Sequence, residues 1–265
     1  MQRVIFADSW SAFFAEYRLK SFDDFFEKLP VRTIEVNNKR NVVTFSLGSD
    51  PQKKRFFMKR FSHPHFKDML FSFRNIGRPC SQARYEWENA TLLLDNGVET
   101  YRPVCFGEKI TCGIENRSFF VTEELQSQCL TDFIRQNWPG LGQQKKEEII
   151  TGLAVFIHKI HVLNISLPDL YVWHIYITPK ESGRYEYTVI DLHRMSRNVT
   201  SKRLKIKNLG RMHYSMLDSY FDEELKQLFV KSYAAKGQYG DIAKLLAQVK
   251  RYSDAVSAKR RQRQY

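Results

Sequence analysis

The chain has 265 residues, 43% hydrophobic and 14% aromatic, which is enough for one large domain or two packed lobes and too apolar for a disordered protein. Lysine and arginine outnumber the acids 42 to 29, and a formal charge of +13 favours an anionic partner such as lipid headgroups, a phosphorylated or acidic substrate, or nucleic acid. No apolar run is long enough to span a bilayer and the first ten residues lack the pattern of a secretion signal, while Cys80, Cys105, Cys112 and Cys129, without Cys-x-x-Cys spacing, suit a reducing compartment.

Trp10, Phe13, Phe14, Phe22, Phe25 and Phe26 form aromatic pieces expected to pack against the body of the protein. Strands are predicted at Arg32–Val36, Asn41–Leu47 and Arg55–Phe61, separated by Asn37-Asn38-Lys39 and Gly48-Ser49-Asp50-Pro51. His63 and His65 flank Pro64 in an expected loop and receive no role. Ala83, Trp87, Ala90 and Leu94 fall at helical spacing, so a helix is predicted over Gln82–Asp95, stopped by Asn96-Gly97. Two strands follow, near Arg102–Phe106 and Ser118–Thr122.

Trp138-Pro139-Gly140 breaks the chain before a helix predicted over Lys145–Leu163. Its apolar stripe is Ile149, Leu153, Phe156, Ile160 and Leu163. His158 and His161 on this helix lack a carboxylate motif, so a core or interface role is expected rather than metal binding. The β-branched and aromatic runs Tyr171–Ile177 and Tyr185–Ile190 read as a hairpin closed by Pro179–Arg184. The chain then reads as helical from about Leu204 to Val256, and Lys259-Arg260-Arg261-Gln262-Arg263 as a frayed, solvated end able to touch anionic lipid. The order implies an α+β protein with a sheet-rich first half and a helix-rich second half, divided near Val121–Leu125 into residues 1–122 and 123–265.

Four pieces carry chemistry. Lys59 ends the apolar run Phe56-Phe57-Met58 and would aim an ammonium at phosphates, although alone it equally suits a solvated edge lysine. Glu86, on the next helix, is placed to pair with Lys59 or to be a plain surface carboxylate. Asp169 precedes His174 by five residues, the spacing of a kinase catalytic base and its metal ligand. Asp191 ends an apolar strand about 20 residues later, where the second metal-binding Asp is expected. Taken singly, Asp169 is equally a cap and Asp191 a turn residue; their order favours phosphoryl transfer, which needs a cation on the donor phosphates, metal-holding carboxylates and a base near the attacking hydroxyl.

These segments resemble the lipopolysaccharide kinase (Kdo/WaaP) family of the protein-kinase-like superfamily. The matching runs are Phe57-Met58-Lys59, Arg84-Tyr85-Glu86-Trp87, Ser118 to Leu125, Asp169-Leu170-Tyr171-Val172-Trp173-His174 and Val189-Ile190-Asp191-Leu192-His193-Arg194. The resemblance covers roughly residues 40 to 235, and its most specific string is Ile190-Asp191-Leu192-His193-Arg194. It implies a bilobal protein-kinase-like fold and ATP-dependent phosphorylation of a heptose or Kdo hydroxyl in the lipopolysaccharide inner core. By that resemblance Lys59 contacts the α/β-phosphates, Glu86 holds Lys59, and Asp169 is the base. His174 and Asp191 bind magnesium, and Glu123 to Leu125 form the hinge that meets adenine. The expected cofactors are ATP and Mg. The expected partners are the lipopolysaccharide core and lipid A acceptor and an anionic membrane surface, with a location in the cytoplasm or on the inner face of the inner membrane.

Two departures accompany the resemblance. Leu167-Pro168 stands where the family usually shows His-Arg, and no G-x-G-x-x-G lies between the first strands, where Asn37-Asn38-Lys39 sits instead. The first leaves open a catalytically silent nucleotide-binding scaffold. The basic run Arg194, Arg197, Lys202, Arg203, Lys205 and Lys207 suits either a phosphate-binding or a solvated face. Nucleic acid is not an expected partner, because no recognisable binding signature accompanies the charge.

Overall fold

The computed structural model describes every residue except Ser9, Asn37, Asn38, Pro64, His65 and Gln238, and every other side chain except those of Phe66 and Lys67. The turn at Asn37-Asn38 and the Pro64-His65 loop therefore lie outside the described residues. The chain divides into two compact units: Met1–Asn96 with Tyr101–Leu125, and Gly97–Thr100 with Gln126–Tyr265.

The first unit is built on an antiparallel sheet of six strands in the order β1-β5-β6-β4-β3-β2. These are β1 (Gln2–Phe6), β2 (Arg32–Val36), β3 (Arg40–Leu47), β4 (Lys54–Ser62), β5 (Pro103–Thr111) and β6 (Ile114–Glu123). Strand β1 was not expected from the sequence; it is short and pairs along β5, over 100 residues away, an arrangement no local pattern records. Its neighbours α1 (Trp10–Glu16) and a π-helical turn (Asp24–Lys28) carry all the anticipated aromatics except Phe22, which lies just before the turn. Phe14, Phe22 and Phe25 pack on Phe45, Phe56, Met58 and Phe119 in a fully buried cluster.

That cluster fixes the orientation of β4. Side chains alternate along a strand, so with Phe56 and Met58 in the aromatic core, Phe57 and Lys59 look out of the opposite face. There α3 (Gln82–Asp95) packs, burying Ala83, Tyr85, Glu86, Asn89, Ala90 and Leu93. Ser81 caps α3 by accepting from the Arg84 N–H at 3.2 Å. Asn96 is its C-cap, and Gly97 takes φ +67°, the stop the sequence announced. Buried carboxylates serve the start of α3. Glu115 accepts from the Gln82 N–H at 2.9 Å, and Glu108 from Ser81 Oγ at 2.6 Å. A further helix, α2 (Phe66–Ile76), precedes α3 and was not anticipated.

The second unit begins with β7 (Gln128–Cys129) and α4 (Leu130–Asn137), also unanticipated, then a 3-10 turn over Trp138–Gly140. Helix α5 (Gln143–Val162) follows. Ile149, Leu153 and Ile160 of the expected stripe are buried, while Phe156 and Leu163 are half-buried. Gly152 lets the Tyr187 ring lie against α5, where a Cβ would sit 2.7 Å from its hydroxyl, and that hydroxyl donates to the Ile149 carbonyl at 2.6 Å. The hairpin is narrower than predicted: β8 is Ile175–Pro179 and β9 Tyr185–Val189, with Val172–His174 forming a 3-10 turn instead of strand. The Val172 N–H goes to Ser215 Oγ at 2.9 Å, so this stretch has no ladder to join.

The helical region after Asp191 is three helices, α6 (Lys202–Ser215), α7 (Glu223–Gly237) and α8 (Ile242–Ser257). The basic end is not frayed. Tyr265 stacks on Tyr220 at 5.8 Å and donates to the Ser215 carbonyl at 2.7 Å, although Lys259, Arg260 and Arg261 themselves are exposed.

Candidate active site

In the first unit Lys59 and Glu86 meet. Lys59 Nζ lies 3.0 Å from Glu86 Oε1, and Tyr101 donates to Glu86 Oε2 at 3.4 Å. Glu86 has no exposure at all, whereas the Lys59 side chain keeps 19%. A carboxylate this buried requires a cation or strong donors. The pair therefore holds the ammonium extended. In the expected hinge segment the Glu123 and Glu124 N–H groups bond the Arg102 and Arg55 carbonyls at 3.2 and 3.0 Å. Among the described residues no backbone partner takes the Leu125 N–H.

In the second unit Asp169, His174 and Asp191 gather around one short loop and the end of β9. His174 Nδ1 donates to the Asp169 carbonyl at 2.7 Å, which fixes the tautomer and leaves the Nε2 lone pair directed elsewhere. Nε2 lies 3.7 Å from Asp191 Oδ2. That is too long for a hydrogen bond, and within the separation of two donors each about 2.1 Å from one cation. A carboxylate oxygen suits a hard ion such as magnesium; an imidazole is a less usual but workable second donor. Asp191 adopts φ +65°, a left-handed conformation that costs energy and is found at sites where geometry matters.

Two side chains beyond those expected complete the cluster. His193 Nδ1 donates to Asp191 Oδ1 at 2.7 Å, fixing the carboxylate that faces His174. Arg194 Nη1 straddles both oxygens of Asp169, at 3.2 and 3.3 Å. Both residues directly follow Asp191 in the sequence, but Arg194 reads there as the start of a solvated basic run, and only the turn after β9 reveals its partner. The loop before Asp169 is braced from α6. The Asn208 side-chain Oδ1 accepts from the Leu167 N–H and from Ser166 Oγ, both at 2.9 Å, and Ser166 and Ser196 exchange backbone hydrogen bonds. His161, as expected, is a core residue: it is buried, 2.8 Å from the Tyr233 hydroxyl and 3.3 Å from Asn208. Burial pushes its pKa down to about 3.

The sequence profile of the lipopolysaccharide kinase (Kdo/WaaP) family matches residues 24–233. The chain belongs to that family. A relative from Pseudomonas aeruginosa, named lipopolysaccharide core heptose(I) kinase WaaP, is 29% identical over 165 residues, covering 58% of this chain and 60% of that relative. This chain therefore spans less than two thirds of that relative's length. The protein of the same name from Escherichia coli K12 is 26% identical over 202 residues, 73% of this chain and 74% of the relative. Among solved structures, WaaP in complex with acyl carrier protein has the same fold, with a TM-score of 0.71 at 23% identity over 96% of this chain and 99% of that one. The α+β, protein-kinase-like architecture of this Kdo/WaaP family member follows from that likeness together with the family match.

In place of the His-Arg expected before Asp169, Leu167 is buried and hydrogen-bonded through its N–H, and Pro168 has no N–H to satisfy. The apolar pair thus sits in a place where backbone bonds to α6 and the Arg194 ion pair hold the loop.

Proposed function

We propose that this protein is an ATP-dependent kinase that phosphorylates a sugar hydroxyl of the lipopolysaccharide inner core. Heptose is favoured over Kdo because the relatives are named heptose(I) kinases. The observation that carries the reading is the cluster in which Asp169, His174 and Asp191 are held in order by Arg194, the Asp169 carbonyl and His193.

Lys59, kept extended by Glu86, would neutralise charge on the α/β-phosphates, and the Leu125 N–H would donate to adenine. Asp169 would accept the proton of the attacking hydroxyl, with Arg194 holding its carboxylate in one orientation. Asp191 and His174 would hold magnesium, which when bound neutralises phosphate charge and orients the donor. Among the described residues no helix is long and apolar enough to cross a membrane. The charge of +13 supports action at the anionic inner face of the inner membrane. An association with acyl carrier protein, the companion of the solved relative, is proposed for this chain as well; co-purification of the two would test it.

Phosphate transfer from labelled ATP to lipopolysaccharide with an unphosphorylated core tests the reading, using wild type, Asp169→Ala and Asp191→Ala. Transfer by wild type alone supports it. A wild type that binds Mg-ATP but transfers nothing to heptose or Kdo acceptors would sink it.

A further inference from the structure

Helix α2 shows solvent a face of unusual chemistry. Positions 70, 73 and 74 stand at i, i+3 and i+4, and so share one face. They hold Leu70, Phe73 and Arg74, all exposed, with Leu70 at 50% and Phe73 at 53%. A polar residue, Ser72, lies inward instead. Ser72 is fully buried, donating to the Met69 carbonyl at 2.8 Å and accepting from the Cys80 N–H at 3.1 Å. Phe71 packs edge-on against Tyr85 of α3 at 5.7 Å, which fixes the face turned out. A helix of a water-facing surface has the opposite arrangement, with its apolar stripe toward the core and charge outward.

We infer that α2 is an interfacial anchor: it lays Leu70 and Phe73 into the headgroup–acyl boundary of an anionic bilayer, with Arg74 at the level of the lipid phosphates. The charge decides the occupant. Arg74 stands within the apolar stripe, and Arg78 is exposed just beyond the helix while pairing with Glu88 at 2.7 Å. The whole chain carries +13, so a second copy would meet repulsion where an anionic bilayer meets attraction. Paired apolar side chains beside a basic one are what an in-plane helix needs to insert and hold. The inference stands apart from the kinase reading, since α2 carries none of the proposed site residues.

Flotation of the full chain with phosphatidylglycerol–phosphatidylethanolamine vesicles and with phosphatidylcholine vesicles, at low and high salt, tests it. The wild type should float with the anionic vesicles and keep part of its binding at high salt, because apolar insertion is not screened. Leu70→Glu/Phe73→Glu should lower partition by roughly tenfold or more, and Arg74→Gln by about fivefold at low salt. Both sites are solvent-facing, so the variants should melt with the wild type. The anchor is overturned if the double variant floats like the wild type, or if the wild type ignores anionic vesicles. It is equally overturned if all binding vanishes at high salt, or if the double variant only dissolves a dimer seen by sedimentation.

Discussion

Lys59 and Glu86 should tolerate removal very unequally. Glu86 is wholly buried, and Lys59 at 3.0 Å is its charge partner within the sheet-rich unit, with Tyr101 a longer donor at 3.4 Å. Lys59→Met strands a buried carboxylate beside one neutral donor, a change that costs about 3–5 kcal/mol. Glu86→Gln leaves an ammonium that can reach water, since the Lys59 side chain is 19% exposed, so its cost should stay near 1–2 kcal/mol. The double variant Lys59→Met/Glu86→Gln should recover much of the larger loss, because the uncompensated charge is gone. Urea unfolding of the four proteins gives the cycle. All three variants should also lose phosphate transfer, which separates stability from function. Equal costs for the two single changes, or no recovery in the double, would refute the view that Glu86 is the buried, dependent member of the pair.

Arg194→Ala should leave stability within about 1 kcal/mol, because the Arg194 side chain is 52% exposed. It should lower kcat by roughly 10- to 100-fold with KM for ATP unchanged, as expected for a freed base, and Arg194→Lys should restore part of it. His193→Ala removes the donor that orients Asp191, so the magnesium concentration for half-maximal transfer should rise by about tenfold or more while thermal stability hardly changes. Acid should loosen the helical unit. Burial lowers His161 to about 3 and His213 to about 4 from an ordinary 6.5, so the unfolded state binds more protons below pH 6.5. Between about pH 6 and 4 that slope approaches roughly 3 kcal/mol per pH unit for the two together, read as falling hydrogen-exchange protection of α6 and α7. The sheet-rich unit carries a contribution of opposite sign. Burial raises Glu115 to about 7 from 4.5, so its contribution is full below pH 4.5 and is lost as pH rises to 7; Glu115→Gln should flatten it.

Much of this architecture is legible in order and spacing. The strands β2, β3 and β4 and helix α3 stand within a residue of where composition, helical period and the bounding turn residues place them. Lys59 and Glu86 are brought together by the same two patterns: alternation puts Lys59 opposite the aromatic core, and α3 covers that face. Elements without such a pattern escape. Strand β1 owes its existence to a partner far along the chain. Tyr171–His174 is composed like a strand, yet its amide at Val172 is taken by Ser215 Oγ, and it turns instead. Helix α2 is the exception, since its apolar residues do recur at helical spacing, and it is unusual only in turning Leu70 and Phe73 outward. The basic end is held by the Tyr265 stack and hydrogen bond and by bonds of Arg260 and Gln262 to Tyr214, which a composition dominated by arginine conceals.

The site divides along the same line, and for a physical reason. Motifs report groups that must be of one chemical type: a base, a metal ligand, a phosphate-binding cation. They say little about what holds those groups still, since a brace can be built in several ways. A charged clamp placed just before the base is one solution, and its absence at Pro168 reads from the sequence as a defect. Here the Asp169 carboxylate is gripped by Arg194 from the turn after β9, and the preceding backbone is tied to Asn208 and Ser196. Leu167, buried where a polar brace is usual, then needs no partner for its side chain, only for its N–H, and Asn208 supplies that. A proline at 168 is compatible with such a loop because the hydrogen bonds that secure it lie on either side of the residue that cannot make one. A silent scaffold is suggested by the loss of both a charged clamp and a polar brace before Asp169, and Arg194 on its carboxylate with Asn208 on the Leu167 N–H supplies a counterpart to each.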